Sequence, residues 1–133
     1  MANPMMEIDQ GTPNGFHDCS VFGYAVDFTA RRMLIDLGID MSLSGERRRL
    51  RRCRVTIDEI AFVAVEAGDG VAMLTRPQHG ASSDGGVLEG ERLRQIWPTE
   101  LPTGVFAYWL FLNEMNAFIY ISGRGGRLEW VEA

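Results

Sequence analysis

Ser20-Val-Phe-Gly-Tyr-Ala-Val-Asp-Phe-Thr-Ala-Arg-Arg-Met-Leu-Ile-Asp-Leu-Gly-Ile-Asp-Met41 is the stretch that decides the fold. Apolar residues occupy every second position in both halves: Phe22, Tyr24, Val26 and Phe28, then Met33, Ile35, Leu37, Ile39 and Met41. Gly23 and Asp27 oppose the first set; Arg32, Asp36 and Asp40 oppose the second. Successive side chains of a strand point to opposite faces, whereas a helix groups positions three and four apart. The period of two therefore predicts two strands, each with one oily face. The short turn at Thr29-Ala30 joins them into a β-hairpin laid on a common core.

Residues 42–50 break the pattern with Gly45 and a run of arginines, and read as a loop. In a third strand Cys53, Val55 and Ile57 share a face, but beyond Asp58-Glu59 the apolar set moves to Ile60, Phe62 and Ala64. A one-residue change of parity is what a β-bulge produces. Gly68-Asp-Gly70 predicts a turn and residues 71–75 a short fourth strand; residues 76–86 form a polar, glycine-rich loop. Leu93, Ile96 and Trp97 share a helical face that Pro98 would stop, which places one short helix near residues 88–97. Residues 105–112 are apolar on both faces, as in a central strand covered on two sides. A turn at 113–116, a strand over 117–122, a hairpin turn at Gly123-Arg-Gly-Gly126 and a strand over 127–131 complete the chain. About seven antiparallel strands with one helix predict a mainly β fold, a sandwich or partly open barrel. Residues 1–13, with two prolines, read as a flexible N-terminal arm. Residues 14–133 read as a single β domain, with no internal repeat.

Composition narrows the function classes. Of 133 residues, 46% are hydrophobic and 23% charged, which suits a globular domain. The longest apolar run, residues 105–112, is far short of the roughly 20 residues of a membrane helix, so no membrane is expected. The N-terminus lacks the basic start and apolar stretch of a secretory signal, and a cytoplasmic protein is the expectation. Cys19 and Cys53 are then expected as free thiols. Neither belongs to a C-x-x-C pair, so no metal and no cofactor is expected. The formal charge is −5, but residues 46–54 hold six arginines and one glutamate, a net +5 that leaves −10 elsewhere. All thirteen basic residues are arginine, which fits a GC-rich bacterial genome.

The most distinctive string is Asn14-Gly-Phe-His-Asp18. His17 beside Asp18 is a candidate general base with a carboxylate partner. Neighbours in a strand diverge, however, and no third group or oxyanion donors accompany them. The structural reading is favoured: Asn14-Gly15 makes a turn, Phe16 packs, and His17 and Asp18 bond to backbone. The same string, followed by a hydrophobic strand, Val26-Asp27 and a turn with Arg31, resembles a widespread class of small bacterial proteins. They open on an N-G-x-H-D-A-like motif, and some are immunity-like proteins of toxin systems. The resemblance covers residues 14–40, with Cys19 where alanine is common. It implies a β fold and no catalytic residue.

Arg47, Arg48, Arg49, Arg51, Arg52 and Arg54 could contact an anion or a partner. The acidic remainder argues against nucleic acid, and a solvated loop with a charged edge strand is the preferred reading. A Ser/His/Asp set can be drawn from Ser82 or Ser83, His17 or His79, and Asp84 or Asp18, but no motif positions a serine as nucleophile. Phe106, Tyr108, Trp109, Phe111, Phe118 and Tyr120 read as core before they read as a ligand pocket, and Trp130 as a partly exposed contact residue. The leading expectation is a non-enzymatic protein-binding domain with no catalytic residue, its narrower form an immunity-type inhibitor of a bacterial toxin. Its candidate cluster is Asn14, His17 and Asp18. The partner is expected to be another protein, with pairing between copies through strand edges as a further option. The alternatives are a small-ligand-binding β-barrel and a hydrolase using His17 and Asp18.

Overall fold

The hairpin over residues 20–41 is present in the computed structural model, which describes residues 3–67 and 81–131. Strand β1 (Cys19–Asp27) runs antiparallel to β2 (Arg32–Asp40), with register pairs from Asp27–Arg32 to Ser20–Gly38. At its tip Asp27 accepts a hydrogen bond from the Ala30 N–H, and Arg31 takes the left-handed conformation. The chain continues through β3 (Leu50–Asp58), β4 (Phe62–Val65), β5 (Ala81–Val87), β6 (Phe106–Leu112), β7 (Ala117–Gly123) and β8 (Gly125–Trp130). Helix α1 (Pro4–Gly11) precedes β1 and α2 (Gly90–Ile96) lies between β5 and β6. Among the described residues these eight strands make one antiparallel sheet, in the order β4-β7-β6-β5-β1-β2-β3-β8.

That order hides a closure. β3 runs into β4 and β7 runs into β8, while β3 pairs with β8 and β4 with β7. Between the two ladders the Ala61 N–H bonds the Ser122 carbonyl at 2.8 Å and the Arg124 N–H bonds the Asp58 carbonyl at 3.1 Å. The sheet thus curls until its ends meet, giving a partly open barrel rather than two stacked sheets. Among the described residues β1 and β5 pair through Cys19, Ser20 and Val21 opposite Ser83, Ser82 and Ala81.

The interior is filled by alternate residues of the wall. Met33, Ile35, Leu37 and Ile39 from β2 meet Cys53, Val55 and Ile57 from β3, with Tyr108 and Leu110 from β6 and Ile119 and Ile121 from β7 opposite. A second, smaller cluster lies outside the wall, where Leu93 and Ile96 of α2 and Leu101 cover Phe62, Ala107, Trp109 and Tyr120. Both faces of β6 are therefore covered, as its unbroken apolar run requires.

Several expectations are corrected. Within the expected N-terminal arm, residues 4–11 form α1, capped by the Asn3 side chain and pinned by the buried Met5. Of the apolar set expected on the inner face of β1, only Val26 packs against the core. A bulge between Val21 and Gly23 turns Phe22 away, Tyr24 is exposed although it lies opposite Ile35, and Phe28 is exposed beyond the end of β1. The predicted loop 76–86 contains β5 from Ala81 onward. Its glycines are needed because a Cβ on Gly85 would lie 2.9 Å from the Tyr108 ring and one on Gly86 2.6 Å from the Trp109 ring. Gly123-Arg-Gly-Gly126 is not a hairpin turn, since β7 and β8 pair with different partners. Gly123 is where that strand crosses the β3 end, with room for a Cβ only 2.7 Å from the Asp58 carbonyl. The arginine-bearing strand is not an edge either, because β3 lies between β2 and β8. The change predicted at residues 58–60 takes another form: β3 ends at Asp58, β4 begins at Phe62, and Glu59 between them is left-handed. Ile60 and Val63 turn to the interior, and Phe62 and Ala64, expected on the face of Ile60, join the outer cluster under α2. The predicted turn at residues 68–70, the strand at 71–75 and His79 lie outside the described residues.

Candidate functional site

One end of the barrel is built by segment 14–20, loop 41–49 and the starts of β3 and β5. The segment is fixed from within. The Asp9 carboxylate accepts the Phe16 N–H at 2.9 Å, and the Phe16 ring is fully buried, edge-on to Tyr108 with centroids 5.6 Å apart. Asn14 is an anchor: its Nδ2 donates to the Asp40 and Ser42 carbonyls, 2.8 Å each, tying the segment to the end of β2. The Asp40 carboxylate in turn accepts the Ser42 and Arg49 N–H groups, each at 3.0 Å, and so shapes the loop. Burial alone would raise the Asp40 pKa, but these donors and the nearby Arg48 outweigh it and hold the carboxyl below its ordinary value.

With Phe16 locked inward, His17 and Asp18 stand at the surface, Asp18 in the left-handed conformation that aspartate tolerates. The His17 Nε2 lies 3.4 Å from Asp18 Oδ2, and its Nδ1 lies 3.6 Å from Oδ2 of Asp84 on β5. These side chains are 68%, 57% and 54% exposed. Both separations exceed ordinary hydrogen-bond length, so these are loose, solvent-exposed contacts. The expectation that His17 and Asp18 side chains bond to backbone is not met; the Asp18 main-chain carbonyl does the bonding instead. Arg48 reaches it through Nε at 2.9 Å and through Nη2, which also donates to Ser20 Oγ at 3.0 Å. Two features that the sequence presents separately, the histidine string and the arginine run, are therefore one surface.

The remaining arginines are held in a similar way. Arg49 Nη2 donates to the Met41 carbonyl at 3.0 Å. Arg51 lies 4.3 Å above the Trp130 ring and Arg52 3.9 Å above the Phe22 ring. Arg47 is exposed on the loop. Among the described residues no carboxylate forms an ion pair with Arg47, Arg48, Arg49, Arg51 or Arg52. Arg54, by contrast, pairs with Asp36 at 3.1 Å on the outer face of the sheet.

A general base must aim one ring nitrogen at the group it deprotonates; the two nitrogens of His17 lie towards Asp18 and Asp84 without a hydrogen bond to either. The Ser83 hydroxyl is buried and engaged by the Cys19 thiol at 2.6 Å. Burial pushes the Cys19 thiol up to about 11 and the Cys53 thiol up to about 12, so neither is a ready thiolate. Both cysteines are free. Among the described residues no three His, Cys, Asp or Glu side chains gather as metal ligands, and no helix is long and apolar enough to cross a membrane. Asp84 is one of the two carboxylates that the sequence offers beside His17, and it is the β1–β5 register, with Cys19 opposite Ser83, that brings it there. No protein-family model, no curated protein and no solved structure matches this chain.

Proposed function

We propose that the chain is a non-enzymatic protein-binding domain, and that the barrel end formed by residues 14–20 and 41–52 is its contact face. The observation that carries this reading is the set of four guanidiniums, Arg48, Arg49, Arg51 and Arg52, fixed by carbonyls and aromatic rings yet, among the described residues, left without carboxylate partners. Arginine is enriched at protein interfaces because its planar fork gives several directed bonds while its stem packs on apolar surface. A further feature supports it: the wall residues fill the described interior.

An immunity-type inhibitor of a bacterial toxin, acting in the cytoplasm, is the narrower form, supported by the sequence resemblance over residues 14–40. The test of the broad reading is affinity capture from the native host. One protein retained in roughly equimolar amount supports it, whereas turnover of a small substrate that His17→Ala abolishes would replace it with an enzyme. The narrower form predicts that co-expression relieves growth arrest by a toxin encoded beside this chain. Unrelieved arrest argues against it.

A further inference from the structure

We infer that the partner presents an acidic protein segment, and that Arg47, Arg49, Arg51 and Arg52 dock its carboxylates. This rests on the protein-binding reading and names the chemistry of the partner. The physical basis is charge complementarity. Among the described residues Arg47, Arg48, Arg49, Arg51 and Arg52 have no carboxylate partner and lie at one end of a chain whose remainder is strongly acidic, Arg51 and Arg52 on opposite faces of β3 at its rim. An anionic partner is therefore attracted there and repelled elsewhere. The groups are also pre-organised. Arg48 is tied to Asp18 and Ser20, Arg49 to Met41, and the two cation–π contacts hold Arg51 and Arg52 in place, which lowers the entropy lost on binding. Exposed Leu43 and Val131 flank the patch, the latter bonded through its N–H to the Arg52 carbonyl. They offer an apolar anchor beside the charges.

A nucleic acid would satisfy the same positive groups, but the rings speak against it. Single-stranded binding uses free aromatic faces as stacking platforms for bases. Here Arg52 covers one face of the Phe22 ring, and that ring's edge lies 3.0 Å from where a Gly38 Cβ would stand. Trp130 carries Arg51 on its ring and packs against the core. The acidic remainder also opposes a long polyanion that extends past the patch.

The experiment is a fluorescence-anisotropy titration of the whole chain with two labelled probes of equal charge. One is a short peptide rich in Asp and Glu with interspersed Leu; the other is an oligothymidylate. The wild-type chain is expected to bind the peptide at least about tenfold more tightly than the oligonucleotide, and less tightly as salt rises. The doubly substituted Arg47→Glu/Arg52→Glu chain is expected to lose at least about tenfold in peptide affinity, and Arg47→Gln/Arg52→Gln to lose part of that. Arg94→Glu in α2, the same kind of charge change at another site, is expected to leave binding unchanged. Circular dichroism shows each variant to be folded. Tighter oligonucleotide binding, or unchanged peptide affinity in the charge-reversed variant, overturns the inference. Equal capture of a host protein by the wild-type and charge-reversed chains overturns this face while sparing the broader reading, and capture of nothing by either overturns both.

Discussion

Gly86 lies so close to the Trp109 ring that an added methyl would have to displace it, and the ring is held by its own packing against Phe118. Gly86→Ala is therefore expected to destabilise the fold by about 1–3 kcal/mol, read as a lower urea midpoint with an unchanged slope. Asn14 acts through hydrogen bonds instead. Asn14→Ala leaves the Asp40 and Ser42 carbonyls without their shared donor, an expected loss of about 1–3 kcal/mol in the same measurement. The two thiols give a pH signature. Their ordinary value is 9.0, and burial raises Cys19 to about 11 and Cys53 to about 12 in the folded chain; burial also raises Tyr108. On alkalinisation the unfolded chain gives up these protons first. Stability is thus fully present below about 9 and declines as pH climbs towards 11 to 12. Urea midpoints at neutral and alkaline pH check this; a flat profile contradicts it.

At the scale of elements, α1 is short and depends on two residues. The Asn3 carboxamide oxygen accepts the Met5 and Met6 N–H groups at 3.1 and 3.2 Å, and Met5 is buried in the main core. Asn3→Ala is expected to lower stability by about 1 kcal/mol and Met5→Ala by about 2–5 kcal/mol, both measured by thermal or chemical unfolding. These elements also show what the sequence makes legible. β2 is readable because Met33, Ile35, Leu37 and Ile39 all face one interior. An irregularity after β3 shows in the residue order, but the side taken by Phe62 and Ala64 is decided by their packing under α2, which the order does not carry. Phe22 was misplaced because an extra residue in β1 is visible only against its partner strand. β5 was unreadable, since Ser-Ser-Asp-Gly-Gly has a loop composition and its glycines answer to rings more than twenty residues along the chain. α1 has too few turns to show a period. For the candidate site, His17, Asp18, Asn14 and the arginines were all identifiable by type, but the bond from Arg48 to Asp18 spans 30 residues and belongs to the tertiary fold.

At the scale of the molecule, closure depends on partners distant in sequence: Val55 sits opposite Leu128, and Phe62 opposite Ser122. Such pairings must overcome loop-closure entropy before they are rewarded, so refolding is expected in milliseconds to seconds, not microseconds. Stopped-flow tryptophan fluorescence reads this directly; completion within the microsecond range would contradict it. β2 and β3 are joined along eight register pairs, from Met33–Ile57 to Asp40–Leu50, and β3 is paired on its other side with β8, whereas α2 has no fully buried residue. The molecule therefore behaves as a sleeve with one stiff panel and a light outer strap. When it breathes, the panel parts last, and amide deuteration at Ile35, Leu37 and Val55 should trail that of α2.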